Sequence, residues 1–148
     1  MDDAKITKPN RQETKTQANR AYKAMNTLLF DGALEDIDIK LSNTEPIRNG
    51  EAFALYCPQS KNIYLRESLV ADWDTTALIN ELFHEMIHKY NHEIAHVSDY
   101  KNGYHTHEFL EAAEQHGGFF VDEIPDEETG YNNIELRRDV FFEIFDAI

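Results

Sequence analysis

The sequence predicts an α+β fold, in which helices pack against a small antiparallel sheet. Apolar residues recur at helical spacing over residues 14–30 and again over residues 75–90. Between these regions, three short stretches alternate apolar and polar residues and are separated by turn signals. The chain has 148 residues, one cysteine and 41% hydrophobic residues, which indicates one globular domain without internal disulfides.

The N-terminal half contains one helix and three strands in this prediction. Residues 1–13 are polar, and we expect them to form a flexible tail. The first helix ends at Phe30, because Gly32 is typical of a helix C-terminus. Short turns separate the strands, so we expect an antiparallel meander. The strands are Ile37 to Ser42, Glu51 to Cys57 and Asn62 to Leu65, with turns at Asn49-Gly50 and at Pro58 to Lys61.

The second helix is the best-defined element of the sequence. Asp74 or Thr75 can cap its first turn by accepting a hydrogen bond from a free backbone amide. One half of the helix is apolar and should be buried against the sheet; it comprises Leu78, Ile79, Leu82, Phe83, Met86, Ile87 and Tyr90. The opposite arc is polar and carries Glu81, His84, Glu85, His88 and His92.

The C-terminal half should contain two further helices. A polar loop is expected from Glu93 to Tyr104, followed by a helix that Thr106 caps and Gly117-Gly118 ends. We place the domain at residues 14–118. Residues 119–148 form an acidic segment that packs on it, because the apolar run Val140 to Ile148 is typical of a docked terminal helix.

Charge limits the classes of partner. The formal net charge is −14, but six basic and three acidic residues give +3 over residues 1–30, and two against nine give −7 over residues 119–148. Such a surface opposes tight non-specific DNA binding, so contact with nucleic acid should be weak. No run reaches the roughly 18 apolar residues of a membrane span, and no secretory signal is present. We expect a cytoplasmic monomer.

The stretch NELFHEMIHKYNHE contains the pattern H-E-x-x-H on the polar face of the second helix. His84 and His88 are one helical turn apart, so both imidazoles can bind one zinc ion. Glu85 projects beside the metal, where a carboxylate can take a proton from a zinc-bound water and pass it to a leaving amine. The pattern therefore predicts two ligands and a general base.

A catalytic zinc site needs a third protein ligand. His92 lies eight residues from His84, about 12 Å along the helix axis, which is too far to share one ion. His96 would require the chain to reverse within a few residues of His88, without a glycine to allow it. The open candidates are His105, His107, Glu108 and Glu111, whereas His116 is expected to be a capping or surface residue.

Four stretches, LFDGAL, NIYLRESL, ELFHEMIH and YHTHEF, together resemble SprT-like zinc metallopeptidase domains, the family that includes Spartan. The resemblance covers residues 14–118 and implies a zincin-like minimal metallopeptidase fold. In that family an H-G-x-x-F/W element supplies the third ligand. Its spacing to Phe109 selects His105, with His107 as first reserve and Glu108 as second. Thr106 replaces the family's glycine, and the cysteine zinc ribbon of bacterial relatives is missing.

The leading functional hypothesis is a zinc-dependent metalloendopeptidase that binds one zinc ion and cleaves proteins or peptides, including DNA-associated ones. Tyr104 or Tyr100, beside the third ligand, could supply a hydroxyl that stabilises the tetrahedral intermediate. The alternatives are a catalytically quiet zinc-binding interaction module and an acidic regulator. Glu85 favours the enzyme, because a purely structural zinc site needs no general base.

Overall fold

The computed structural model of the protein describes residues 11–42, 54–66 and 74–148. The predicted tail up to residue 10, the turn at Asn49-Gly50 and the first three residues of the predicted second strand lie outside these ranges. The described part contains α1 (Arg11–Phe30), β1 (Lys40–Ser42), β2 (Ala54–Cys57), β3 (Asn62–Arg66), α2 (Thr75–Tyr90), a π-helical turn (Asn91–Ala95), β4 (Tyr100–Lys101), β5 (Tyr104–His105), α3 (His107–Gln115), β6 (Gly118–Phe120), β7 (Ile134–Leu136) and α4 (Arg138–Ala147).

Helix α1 begins at Arg11, so residues 11–13 are helical and do not belong to a tail. It ends at Phe30 as predicted, and Gly32 adopts φ +73°, a conformation that favours glycine. The Gly32 amide donates to the carbonyl of Asn26 at 2.8 Å, which satisfies one of the free carbonyls at the helix end. The Asn26 side chain bonds both backbone groups of Leu34, which fastens the following segment to the helix.

The sheet is mixed, and the predicted antiparallel meander is wrong. Its strand order is β1-β3-β2, with β1 parallel and β2 antiparallel to β3. Alternating apolar and polar residues look the same in both orientations, so the pattern could not distinguish them. Strand β1 is also shorter than predicted, because the amide of Ile39 donates to the side chain of Asn19 on α1 and not to a neighbouring strand.

Helix α2 lies at the centre of the molecule, against α1, β2, β7 and α3. Asp74 caps it as predicted and accepts from the amide of Ala77 at 2.7 Å. The apolar half of the helix is in the core, with Leu82, Phe83 and Met86 fully buried. The polar half is therefore directed away from the core, towards the cleft described below.

The segment after α2 is more ordered than the predicted polar loop. The π-helical turn continues α2, and His96 then adopts a left-handed conformation with φ 56° and ψ 43°. Because the helical turn extends to Ala95, the chain does not reverse between His88 and His96, as expected when His96 was set aside as a ligand. Strands β4 and β5 form a hairpin whose turn, Asn102-Gly103, has positive φ at both residues.

The acidic C-terminal segment is part of the same core. Strands β6 and β7 pair antiparallel across the proposed boundary at residue 118, with Gly118 opposite Leu136. Helix α4 packs against α1 and buries Val140 and Ile144. Among the described residues, none of the helices combines the length and the apolar character that a membrane span requires.

Candidate metal centre

The two histidines of the H-E-x-x-H pattern meet a third from the β4–β5 hairpin. Ring centroids of His84 and His88 are 5.0 Å apart, and that of His105 lies 5.0 and 5.1 Å from them. One nitrogen from each ring lies within 4.8 Å of the other two, so the three residues could hold a metal ion. The Nε2 atoms of His84 and His105 are 3.2 Å apart. Two ligands of a tetrahedral zinc ion would be separated by about 3.3 Å, so this pair fits zinc.

The outer nitrogens of two rings are already engaged by acceptors. Nδ1 of His88 is 3.0 Å from a carboxylate oxygen of Asp99, and Nδ1 of His105 is 3.0 Å from the carbonyl of Thr129. Because a carbonyl only accepts, Nδ1 of His105 carries the proton, and Nε2 of the neutral ring is a free ligand atom. Such outer hydrogen bonds fix the tautomer and the orientation of metal-binding histidines.

Phe109, at the start of α3, supports all three imidazoles. Its ring centroid lies 4.7 Å from that of His84, 4.6 Å from that of His88 and 4.8 Å from that of His105. The Phe109 side chain is fully buried. Phe109, whose spacing from His105 selected that histidine in the sequence, thus forms the apolar floor of the cluster.

Burial keeps two of the imidazoles neutral at physiological pH. It lowers the pKa of His105 to about 4, with a further contribution from the charge of His88, and lowers the pKa of His84 well below its usual value. Burial also disfavours charge on His88, but its hydrogen bond to Asp99 and the negative charge of Glu85 outweigh this and raise its pKa. His88 is therefore the first of the three imidazoles to become protonated as the pH falls.

The Glu85 carboxylate is buried beside the histidines and held by a backbone amide. One oxygen, Oε1, accepts from the N–H of Tyr56 on β2 at 2.7 Å, and Oε2 is 3.8 Å from Nε2 of His84. Burial is the main cause that raises the pKa of Glu85 to about 7. A carboxylate with this pKa can accept and return a proton near neutral pH, as general acid–base catalysis requires.

Two groups that support the cluster were missed in the sequence. The buried Asp99 carboxylate joins His88 to the side-chain amide of Asn91 in the π-helical turn. It is one of 28 acidic residues, and no spacing rule marks it. The second group is the backbone carbonyl of Thr129, which accepts from His105. Every residue has a backbone carbonyl, so the sequence could not indicate this one.

Of the two tyrosines considered as hydroxyl donors, Tyr100 is the one that lies at the histidine cluster. Tyr100 faces His105 across the β4–β5 pair, and its ring centroid lies 5.0 Å from that of His105 and 5.8 Å from that of His88. Tyr104 does not line the cleft at the cluster; it packs beside Gly130. Adjacent residues of a strand point to opposite faces, so Tyr104 and His105 cannot share one.

The other histidines and the reserve ligands lie outside the cluster. His107 and Glu108 are exposed at the start of α3, where His107 approaches Glu111. His92 contacts the hydroxyl of Tyr56, and His96 is exposed. His116 is the C-cap residue of α3, as expected: its backbone amide donates to the carbonyl of Ala113, and its half-buried ring lies between those of Phe30 and Tyr90.

The cluster opens into a cleft of about 1040 Å³. Strand β2 forms one wall, the polar face of α2 forms the floor, and the β4–β5 hairpin with residues 129–134 forms the other wall. The described residues that line it include three carboxylates, Glu81, Glu85 and Asp99, and no lysine or arginine. The cleft is thus open to a ligand beside the histidines, and its walls attract cations more than anions.

The fold and the site together define a mixed helix-and-sheet domain with a three-histidine candidate metal centre. The sequence model of the SprT-like family matches residues 18–135, and the chain therefore belongs to the SprT-like family. That family is associated with metallopeptidase-like domains and with zinc. The chain has no significant match among curated proteins or among solved structures.

Proposed function

We propose that this protein is a zinc-dependent metalloendopeptidase that binds one zinc ion per chain. The observation that carries the proposal is the buried Glu85 carboxylate beside three convergent histidines, at the edge of an open cleft. A site that only held a structural metal would gain nothing from a general base, and it would be closed. Membership of the SprT-like family supports the same activity.

Each residue of the centre has a distinct role in this reaction. His84, His88 and His105 hold the ion. When bound, zinc acts as a Lewis acid that polarises the scissile carbonyl and makes water a better nucleophile. Glu85 accepts the proton of the attacking water and delivers it to the leaving nitrogen as the C–N bond breaks. Tyr100, beside His105, is the tyrosine that we assign to stabilise the developing oxyanion.

Because of its charge, the cleft gives little support for nucleic acid as a ligand. Its carboxylates repel phosphate, so any DNA contact would depend on the N-terminal cations Lys5, Lys8, Arg11 and Lys15. Lys15 already forms an ion pair with Asp38 at 3.3 Å. DNA binding should therefore be weak and should disappear at about 0.2 M salt. Tight binding that persists at that salt concentration would contradict this expectation.

The decisive experiment combines metal analysis with a base-removing substitution. Protein purified without chelators should contain about one zinc per chain and cleave casein or an unstructured peptide. Glu85→Gln should retain the zinc and the fold but lose about 100-fold or more of the activity. His96→Ala, which removes an exposed histidine outside the cluster, is the matched control and should behave as wild type.

Two results would overturn the proposal. Absence of zinc, with no uptake on titration, would exclude the metal centre. Equal cleavage by wild type and Glu85→Gln would place the activity elsewhere. If zinc binds but no unstructured protein is cleaved, the catalytically quiet binding module becomes the better description.

A further inference from the structure

A buried ion pair joins Lys89, near the end of α2, to Glu93 in the π-helical turn, and the reaction as described does not use it. The side chain of Lys89 is fully buried. Its ammonium donates to the two carboxylate oxygens of Glu93 at 2.8 and 3.1 Å, and to the backbone carbonyl of Lys61 in the β2–β3 turn at 2.6 Å. Burying an ion pair is costly, and replacement of both partners by apolar groups of similar volume often leaves stability unchanged or increased.

The ion pair is connected to strand β2 through Tyr56. The hydroxyl of Tyr56 donates to Oε2 of Glu93 at 2.5 Å and contacts Nδ1 of His92 at 3.0 Å. The Lys89 ammonium also lies 5.6 Å from the centre of the Tyr56 ring. The side chain of Tyr56 is thus held to the end of α2 by polar contacts.

The same residue holds Glu85 with its backbone. Strand β2 is at the edge of the sheet, with β3 on one side only among the described strands. The Tyr56 amide at this edge donates to Oε1 of Glu85 and leaves Oε2 on the side of His84. The position of one amide on an edge strand therefore sets which carboxylate oxygen faces the candidate metal centre.

We propose that Lys89 and Glu93 are positioning residues for Glu85. They fix Tyr56 through its hydroxyl and the β2–β3 turn through the carbonyl of Lys61, so that the Tyr56 amide stays at hydrogen-bond distance from Glu85. The polar contacts of Lys89 and Glu93 within the described chain do not include the three histidines. The kinetic consequence of this proposal rests on the proposed function. Its structural consequence rests only on the hydrogen bond between the Tyr56 amide and Glu85.

The test uses two variants that keep the size of the network. Lys89→Met combined with Glu93→Gln removes both charges together and keeps an acceptor for Tyr56. Tyr56→Phe removes only the hydroxyl and keeps the backbone amide. Tyr64→Phe on β3 is the matched control, because the Tyr64 hydroxyl donates to the Ser60 hydroxyl at 3.4 Å in an exposed position, away from Lys89 and Glu93.

The kinetic readout separates positioning from folding. In both network variants, zinc content and cooperative thermal unfolding should be retained, KM should change less than about two-fold, and kcat should fall about 10- to 100-fold. Tyr64→Phe should leave kcat unchanged. Unchanged kcat in the double variant, or a loss of kcat that matches a loss of zinc, would overturn the proposal.

A second readout does not depend on activity. The Tyr56 amide proton should exchange slowly with solvent in the wild-type protein. Its exchange should be about ten-fold faster in both network variants, but unchanged in Tyr64→Phe. If the network variants retain full protection of this amide, the proposal fails even if the wild-type protein proves not to be a peptidase.

Discussion

The candidate metal centre has two halves that are built in different ways. His84 and His88 come from one helix, and their separation follows from helical geometry alone. His105 comes from a two-residue strand whose position depends on a hairpin and on residues 129–131. The helical half is therefore set by local sequence, whereas the hairpin half is set by contacts over more than 20 residues. Substitutions far from the candidate metal centre should therefore displace His105 before they displace His84 and His88.

Removal of residues 119–148 should have the largest effect, because it deletes the support of the hairpin half and part of the core. The segment buries four apolar side chains, each worth about 1.5–3 kcal/mol, compared with about 5–15 kcal/mol for the stability of a whole domain; they are Ile134, Leu136, Val140 and Ile144. The truncated protein should show no cooperative thermal transition by circular dichroism.

A charge-only variant of the same segment is the control. Replacement of the exposed Glu123, Glu127 and Glu128 by Gln removes three negative charges and no buried group. Its unfolding midpoint should stay close to that of the wild type. If the truncated protein instead folds and cleaves faster, the segment restrains the enzyme and is not part of its core.

Phe109→Ala should have the next largest effect, since this ring supports both halves. Loss of a buried phenylalanine costs about 3–5 kcal/mol, and the space left under the imidazoles should also weaken zinc binding. Phe142→Ala, on the exposed face of α4, should cost less than about 0.5 kcal/mol. Denaturant titration of both variants measures the difference; comparable losses would mean that Phe109 is not the floor of the cluster.

Gly130→Ala should affect the hairpin half selectively. A Cβ atom at Gly130 would lie 2.3 Å from the backbone oxygen of His105, so the two segments must separate. Zinc affinity should fall about 10- to 100-fold, as for other losses of outer support. Gly103→Ala is the matched control: φ is +87° there and +67° at Gly130, but nothing lies within 4 Å of the added Cβ. Both variants should be compared in a competition titration with a zinc chelator. If their zinc affinities are equal, the strain of alanine at positive φ would explain the loss, and the contact with His105 would not.

Asp99→Asn should have the smallest effect, on the helical half. Protonated imidazole cannot bind zinc, so affinity should fall as the pH drops through the raised pKa of His88. Asparagine removes the carboxylate that raises this pKa, so the fall should begin at a lower pH than in the wild type. Zinc competition titrations between pH 5.5 and 8 measure the shift; an identical pH profile would mean that Asp99 does not act on His88.

The features that the sequence could predict belong to the helical half of the candidate metal centre and to other local elements. The 3.6-residue period of α2 predicts its core face and the shared direction of His84, Glu85 and His88, because these depend on one helix. Its cap at Asp74 and the stop of α1 at Gly32 are equally local, and the structure has both. The choice of His105 as candidate third ligand required a family resemblance, because no local rule brings His105 to α2.

The errors arise where distant segments meet. The direction of β1 relative to β3 depends on the path of the chain that connects them. The alternation of apolar and polar residues in a strand does not predict this path. The sequence left Tyr104 and Tyr100 open as hydroxyl donors, although a local signal favours Tyr100. The dipeptide Asn102-Gly103 is a strong hairpin signal, and a hairpin centred on it places Tyr100 directly opposite His105.

The carbonyl of Thr129 separates the support of His105 from the residue type at position 129. It accepts both the backbone amide and Nδ1 of His105, at 2.9 and 3.0 Å, and neither contact uses the threonine side chain. The requirement for a particular residue falls instead on Gly130, where an added Cβ would lie 2.3 Å from the backbone oxygen of His105. A backbone acceptor thus moves the sequence requirement of the candidate site to a residue outside the histidine cluster.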